Sequence, residues 1–115
     1  MEKIVELTLL YDFYGELLSE HQKEVYEAVV FSDLSYQEAA EQYAMSKQGI
    51  YDLVKRSLEK LKQYELKLGL IEKFRCTKQL AQNLQQQLQQ YLFEPSTKRL
   101  EQIQEMVQVL IQALE

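Results

Sequence analysis

Between positions 46 and 56 the chain reads SKQGIYDLVKR, and seven of these side chains could do chemistry together: Ser46, Lys47, Gln48, Tyr51, Asp52, Lys55 and Arg56. Glutamine can donate and accept at once on the edge of an adenine, and lysine can reach the acceptors of a guanine. The amides freed at a helix start favour phosphate. On a helix beginning at Ser46, the positions of Lys47, Gln48, Tyr51, Asp52 and Lys55 face outward, while Ile50 and Leu53 face inward. Lys55 and Arg56, one turn further on, suit the backbone of a nucleic acid rather than its bases. The plainer alternative is the solvated face of an ordinary amphipathic helix.

Residues 35–58 supply the elements that would hold this set. Ser35 is placed to cap a short helix, with Glu38 three residues on completing a capping box, and Ser46 is placed to cap a longer one. Tyr43, Ala44 and Met45 between them leave room only for a tight turn, so the two helices must cross as in a helix-turn-helix. Ala39, Ala40, Tyr43, Met45, Ile50 and Leu53 fall where such a pair needs small or apolar groups. Two positions depart from the ideal. Ala44 occupies the turn position where glycine is usual, at a cost of roughly 1 kcal/mol if the backbone there is left-handed. Gly49 lies inside the second helix, where glycine costs about 1 kcal/mol relative to alanine; it either lets a nucleic-acid backbone approach closely or is an incidental weak spot.

Composition sets the class. With 115 residues, one proline, three glycines and no tryptophan, the chain is predicted to be all-α, either one compact domain or a small domain with an appended helical hairpin. No apolar run approaches the roughly 20 residues of a membrane span, and Glu2, Glu6 and Asp12 interrupt any leader-like start, so no membrane insertion and a cytoplasmic location are expected. Cys76 is the single cysteine and His21 the single histidine, so neither a disulfide nor a metal site is expected; Cys76 reads as a buried or half-buried apolar residue and His21 as a surface one. No nucleophile, base and glycine-rich loop come together, so an enzyme and a cofactor are not expected. The net charge of -5 argues against a nucleic-acid binder that uses its whole surface. Its distribution is uneven, however: residues 46–78 hold nine basic against four acidic side chains. That excess concentrates positive potential on the second helix and its extension, unless helical pairs such as Glu59 with Lys55 (i,i+4) or Lys62 (i,i+3) neutralise it.

The remaining elements follow from apolar spacing. A first helix over 2–18 carries apolar residues on more than one face, as if sandwiched in the fold or shared with a second subunit. Ser19 caps a second helix predicted to reach Phe31, with Val25, Ala28, Val29 and Phe31 inward. The helix begun at Ser46 is predicted to run to Gly69, roughly 34 Å from the rise per residue of an α-helix, with a kink or cap at Gly69 and Leu70 or a continuous path beyond. Leu70, Phe74, Thr77, Ala81, Leu84, Leu88 and Tyr91 then alternate at spacings of four and three, a coiled-coil seam, and the glutamine bias of 79–90 is its polar face. Glu94 and Pro95 stop it, and Ser96 caps a last helix bearing Leu100, Ile103, Val107, Leu110 and Leu114. The expected organisation is a helix-turn-helix domain over 1–69 and a helical hairpin over 70–115 that serves dimerisation or a partner.

The stretch 9–74 resembles the YlxM-like family of small bacterial proteins. Asp12-Phe13-Tyr14, Gln22, Ser35, Glu38, Ser46, Gln48, Tyr51, Asp52, Lys55 and Arg56 stand where that family's pattern has them; from Cys76 onward the chain is similar only in being helical and rich in glutamine and leucine. The resemblance implies a fold like the promoter-reading region of sigma factors and a DNA-binding regulatory role in the signal recognition particle pathway of protein targeting. Double-stranded DNA and a homodimer are the expected partners. The rival reading is an adaptor whose helix-turn-helix is only scaffold, with the basic residues of 55–78 touching the particle's RNA or its GTPase. A third is a structural dimer whose hairpin recruits another coiled coil.

Overall fold

The computed structural model describes residues 2–115, with the side chains described from Lys3 onward. Helices α1 (Glu2–Tyr14), α2 (Glu20–Tyr26), α3 (Tyr36–Gln42), α4 (Lys47–Leu68), α5 (Leu70–Phe93) and α6 (Thr97–Leu114) follow one another, and among the described residues there is no strand. The chain divides into two compact units, Met1–Gly69 and Leu70–Glu115.

In the first unit, α4 is the central element and packs against α1, α2 and α3. Val25, Ala39, Ala40 and Ile50 form one buried cluster, with Val29, Tyr36, Tyr43, Met45, Leu53 and Val54 packed around it. Leu10, Tyr14, Leu18, Tyr26 and Leu61 are buried with it. Ser57 is also buried, and its hydroxyl donates to the carbonyl of Leu53 at 2.8 Å, so this polar group inside α4 is satisfied within its own helix. Tyr14 donates to Glu65 at 2.5 Å, which ties α1 to the far end of α4. Burial pushes the Tyr26 phenol up to about 12, so this core hydroxyl ionises even less readily than an ordinary tyrosine.

Two local features differ from the expectation. First, α1 stops at Tyr14 instead of Leu18, and Gly15–Leu17 form one 3-10 turn. A Cβ at Gly15 would stand 3.0 Å from the Tyr11 ring, so a larger residue there would have to displace that ring. Second, α2 ends at Tyr26, and Glu27–Phe31 form a π-turn in which the Ser32 amide reaches the Glu27 carbonyl at 3.0 Å. Phe31 is consequently exposed instead of inward, set edge-on to Tyr11 and Tyr26 with ring centres 5.4 and 5.8 Å away. Tyr11 and Tyr26 themselves stack at 5.2 Å. Asp33 ends this turn with φ 57, a left-handed conformation that aspartate tolerates.

The helix ends chosen by capping side chains agree with their sequence signals. Ser19 with Gln22, and Ser35 with Glu38, make both bonds of the capping box, and the two hydrogen bonds to Ser35 hold the Glu38 carboxyl below its usual range. Ala44 takes the left-handed conformation, φ 53, and the Met45 amide reaches back to the Ala40 carbonyl at 3.0 Å, closing α3 in a Schellman turn. Gly69, at φ 62, ends α4 and donates to the Glu65 carbonyl at 2.8 Å.

The second unit is the antiparallel pair α5 and α6. Arg99 donates to the Gln90 side chain at 3.2 Å near the turn, and Lys73 to the Leu114 carbonyl at 3.4 Å at the open end. The seam between them differs from the one expected. The half-buried residues of α5 are Thr77, Leu80, Leu84, Gln87 and Tyr91, facing Arg99, Ile103, Met106, Leu110 and Ala113 of α6. Ala81, Leu88, Leu100, Val107 and Leu114 are exposed. Each helix carries two overlapping stripes of three-four spacing that share Thr77, Leu84 and Tyr91, or Ile103 and Leu110; the hairpin closes on one stripe and leaves the other outside. The two hydrogen bonds set the register, which places Leu88 level with Leu100 and Ala81 level with Val107 on one side of the hairpin. Cys76 is exposed, contrary to its expected burial, because it lies off both stripes.

Candidate nucleic-acid interface

Ser46 opens α4 with its hydroxyl accepting from the Gly49 amide at 2.9 Å, so this oxygen is occupied as a cap. A Cβ at Gly49 would stand 3.0 Å from that same hydroxyl oxygen, so the glycine sits under the cap it bonds, a local reason for its presence.

The next turns form two rows of i,i+4 neighbours. Lys47, Tyr51 and Lys55 make the first, all exposed; Gln48, Asp52 and Arg56 make the second, with Asp52 half-buried. Tyr51 is braced by Tyr36, the first residue of α3, whose ring meets it edge-on at 5.8 Å. Tyr36, Lys47, Gln48 and Tyr51 line a shallow depression of about 350 Å³. Another, of about 330 Å³, lies beside the second row and is lined by Gln22, Met45, Gly49, Asp52, Leu53 and Arg56. In the second row the Gln48 amide nitrogen donates to Asp52 at 3.1 Å.

All seven residues singled out in the sequence therefore lie on the first three turns of α4 or at its cap. Tyr36 was missed by sequence reasoning. The only signal was an aromatic directly after a capping serine, which does not reveal that its ring turns toward α4. Gln22 has a structural task, because its side chain accepts from the Ser19 amide at 3.0 Å. Lys23 meets Glu16 at 3.1 Å and Glu20 at 3.3 Å, and Glu65 accepts from Tyr14. Lys55, Arg56, Lys60, Lys62 and Lys67 stand exposed along α4. Among the described residues no cluster of His, Cys, Asp and Glu could hold a metal ion, and no helix is long and apolar enough to cross a membrane.

The family described as "Putative helix-turn-helix protein, YlxM / p13 like" matches residues 1–109. The chain belongs to this family. The match of this YlxM / p13-like family extends well past 9–74 and takes in α5 and most of α6, which corrects the expectation that only the first part of the chain is alike. The chain is 48% identical over 67 residues to UPF0122 protein TTE1463 of Caldanaerobacter subterraneus subsp. tengcongensis, an alignment covering 58% of this chain and 57% of that protein. With UPF0122 protein lwe1821 of Listeria welshimeri the identity is 39% over 104 residues, covering 89% and 94%. With UPF0122 protein GWCH70_1086 of a Geobacillus strain it is 40% over 84 residues, covering 73% and 76%. The YlxM / p13-like description is that of a helix-turn-helix protein and not of an enzyme class.

Proposed function

We propose that this chain binds double-stranded DNA through the start of α4 and acts as a regulatory protein in the cytoplasm, serving the signal recognition particle pathway. The observation that carries the DNA reading is the pair of rows Lys47/Tyr51/Lys55 and Gln48/Asp52/Arg56, displayed on a capped helix in a helix-turn-helix family. A helix about 10–12 Å across enters a major groove about 12 Å wide. Gln48 and Tyr51 read bases there, while Lys47, Lys55 and Arg56 hold phosphates, and the amides at the Ser46 cap favour a phosphate as well. The link to protein targeting rests on the family resemblance alone.

Selection from a random duplex library tests the reading. The parent protein is expected to enrich one motif, and Gln48→Ala or Tyr51→Ala to lose discrimination at one base pair each, by about 1–3 kcal/mol. Equal binding of random and selected duplexes by parent and variants would overturn it.

One observation favours the adaptor reading as the alternative: Lys60, Lys62 and Lys67 on α4, and separately Lys73, Arg75 and Lys78 on α5, are exposed, as contacts to the particle's RNA or GTPase require.

Homodimerisation completes the proposal. The side of the hairpin carrying Ala81, Leu88, Leu100 and Val107 is apolar on both helices, and two such faces bury each other in a four-helix arrangement. Leu84 is turned into the hairpin, so it is a poor probe of association. Leu88→Glu with Val107→Glu is expected to convert a dimer into a folded monomer in sedimentation or light scattering. A parent that is already monomeric at tens of micromolar removes the claim.

A further inference from the structure

The reading row of α4 contains an acidic residue, which phosphates repel, and none of the base or phosphate contacts proposed above uses Asp52. The structure supplies a task. Gln48 Nε2 donates to Asp52 Oδ1 at 3.1 Å across one helical turn. An ionised carboxylate only accepts hydrogen bonds, so the amide can present only its nitrogen to Asp52, and the usual ambiguity over which way a glutamine points is removed. Gln48 is exposed while Asp52 is half-buried against the depression lined by Gln22, Met45, Gly49, Leu53 and Arg56, so the carboxylate is the better-anchored partner of the pair.

We propose that Asp52 is a positioning residue that locks the Gln48 amide with its carbonyl oxygen outward, so that the helix selects an adenine in the major groove. This deepens the DNA reading and rests on it. The outward oxygen needs a donor, which only the exocyclic amino groups of adenine and cytosine provide in that groove. The amide nitrogen keeps a second hydrogen after bonding Asp52, and adenine N7 offers the acceptor for it, whereas cytosine has none there. Guanine and thymine present acceptors to the outward oxygen and are disfavoured.

The same pair also braces the helix, as glutamine and aspartate at i,i+4 do. A brace would change affinity for every sequence alike, while an orienting bond changes preference at one base pair. The test is therefore duplex selection followed by measured affinities for four duplexes that differ only at the position whose preference Gln48→Ala abolishes. The parent is expected to prefer adenine there. Asp52→Glu, which keeps an acceptor-only group, is expected to retain the preference; Asp52→Asn, whose amide can donate or accept and so lets Gln48 turn, is expected to lose roughly tenfold of it. Circular dichroism and melting confirm that the three proteins are equally folded. A guanine or thymine at that position overturns the inference. So does an unchanged adenine preference in Asp52→Asn, or equal loss in Asp52→Asn and Asp52→Glu. A uniform fall in affinity with the preference intact assigns the pair to helix bracing and overturns it as well. Failure of the parent to enrich any motif refutes the DNA reading, and the inference falls with it.

Discussion

Ile50→Ala is expected to destabilise the helix-turn-helix unit by about 2–5 kcal/mol. Ile50 is fully buried, and it comes from the first turn of α4 into the cluster formed by Val25 of α2 and Ala39 and Ala40 of α3. Truncation removes three carbons from the point where three helices meet. The neighbours best placed to fill the gap include two alanines, which have no side-chain freedom with which to do so, so the cavity persists and the loss belongs in the upper part of that range. Against the roughly 5–15 kcal/mol by which small domains are stable, this is a large fraction. Urea unfolding followed by helical circular dichroism checks it. Ile4→Ala, at a residue 44% exposed on α1, serves as the control and is expected to change stability by less than about 1 kcal/mol. Equal midpoints for the two variants would show that Ile50 is not the keystone of this core.

The parts of the fold legible in the sequence are those decided by a few neighbouring residues. Ser19, Ser35, Ser46 and Ser96 each choose a helix start by a bond to an amide three residues on, so position alone identifies them. Ala44 could be suspected of a left-handed turn because it holds the position where glycine is usual between the two helices, and it takes that conformation at φ 53. The end of α1 was hidden, because apolar spacing runs on past Tyr14, and the close approach of the Tyr11 ring to Gly15 belongs to side-chain placement that spacing does not carry. The π-turn of Glu27–Phe31 was hidden for a similar reason: apolar spacing there fits an α-helix, and what goes with the extra residue in the turn is the meeting of Phe31 with Tyr11 and Tyr26 from elsewhere. The hairpin carried two equivalent stripes, and spacing within one helix cannot say which of them the other helix covers. At the candidate interface, the outward placement of Lys47, Gln48, Tyr51 and Lys55 was readable from helical period, whereas Asp52, expected to face outward with them, is half-buried because it lies against Met45, Leu53 and Gln22. That Asp52 faces Gln48 and that Tyr36 braces Tyr51 were not readable, since both depend on rotamers and on the approach of α3.

Lys55→Ala combined with Arg56→Ala is expected to weaken binding to all duplexes alike and to reduce the slope of log affinity against log salt by about 1.8, since each phosphate contact contributes about 0.9 in B-DNA. Both side chains are exposed and follow the base-reading residues by one turn, with Lys55 seven residues beyond Gln48 and so on the same face of α4. Base preference should not change, because phosphate contacts fix register without carrying sequence. The charges further along behave differently under the two functional readings. Lys67 lies nineteen residues beyond Gln48, roughly 28 Å along a straight helix, well past the width of one groove, and Lys73 and Lys78 belong to the second unit. For a DNA regulator, replacing Lys67, Lys73 and Lys78 by glutamine should leave affinity for the selected duplex within about threefold of the parent, because the proposed contacts all lie on the first three turns of α4 and a charge as far along that helix as Lys67 is screened at physiological salt. For a targeting-particle adaptor, the same triple variant loses its phosphate contacts to RNA, and with them most of the salt-sensitive affinity. Titrating parent, Lys55/Arg56 and triple variants against the selected duplex and against the particle's RNA at several salt concentrations separates the two. A reduced slope confined to the Lys55/Arg56 variant on duplex DNA supports the regulator, and a loss confined to the triple variant on RNA, with no duplex preferred, replaces it with the adaptor.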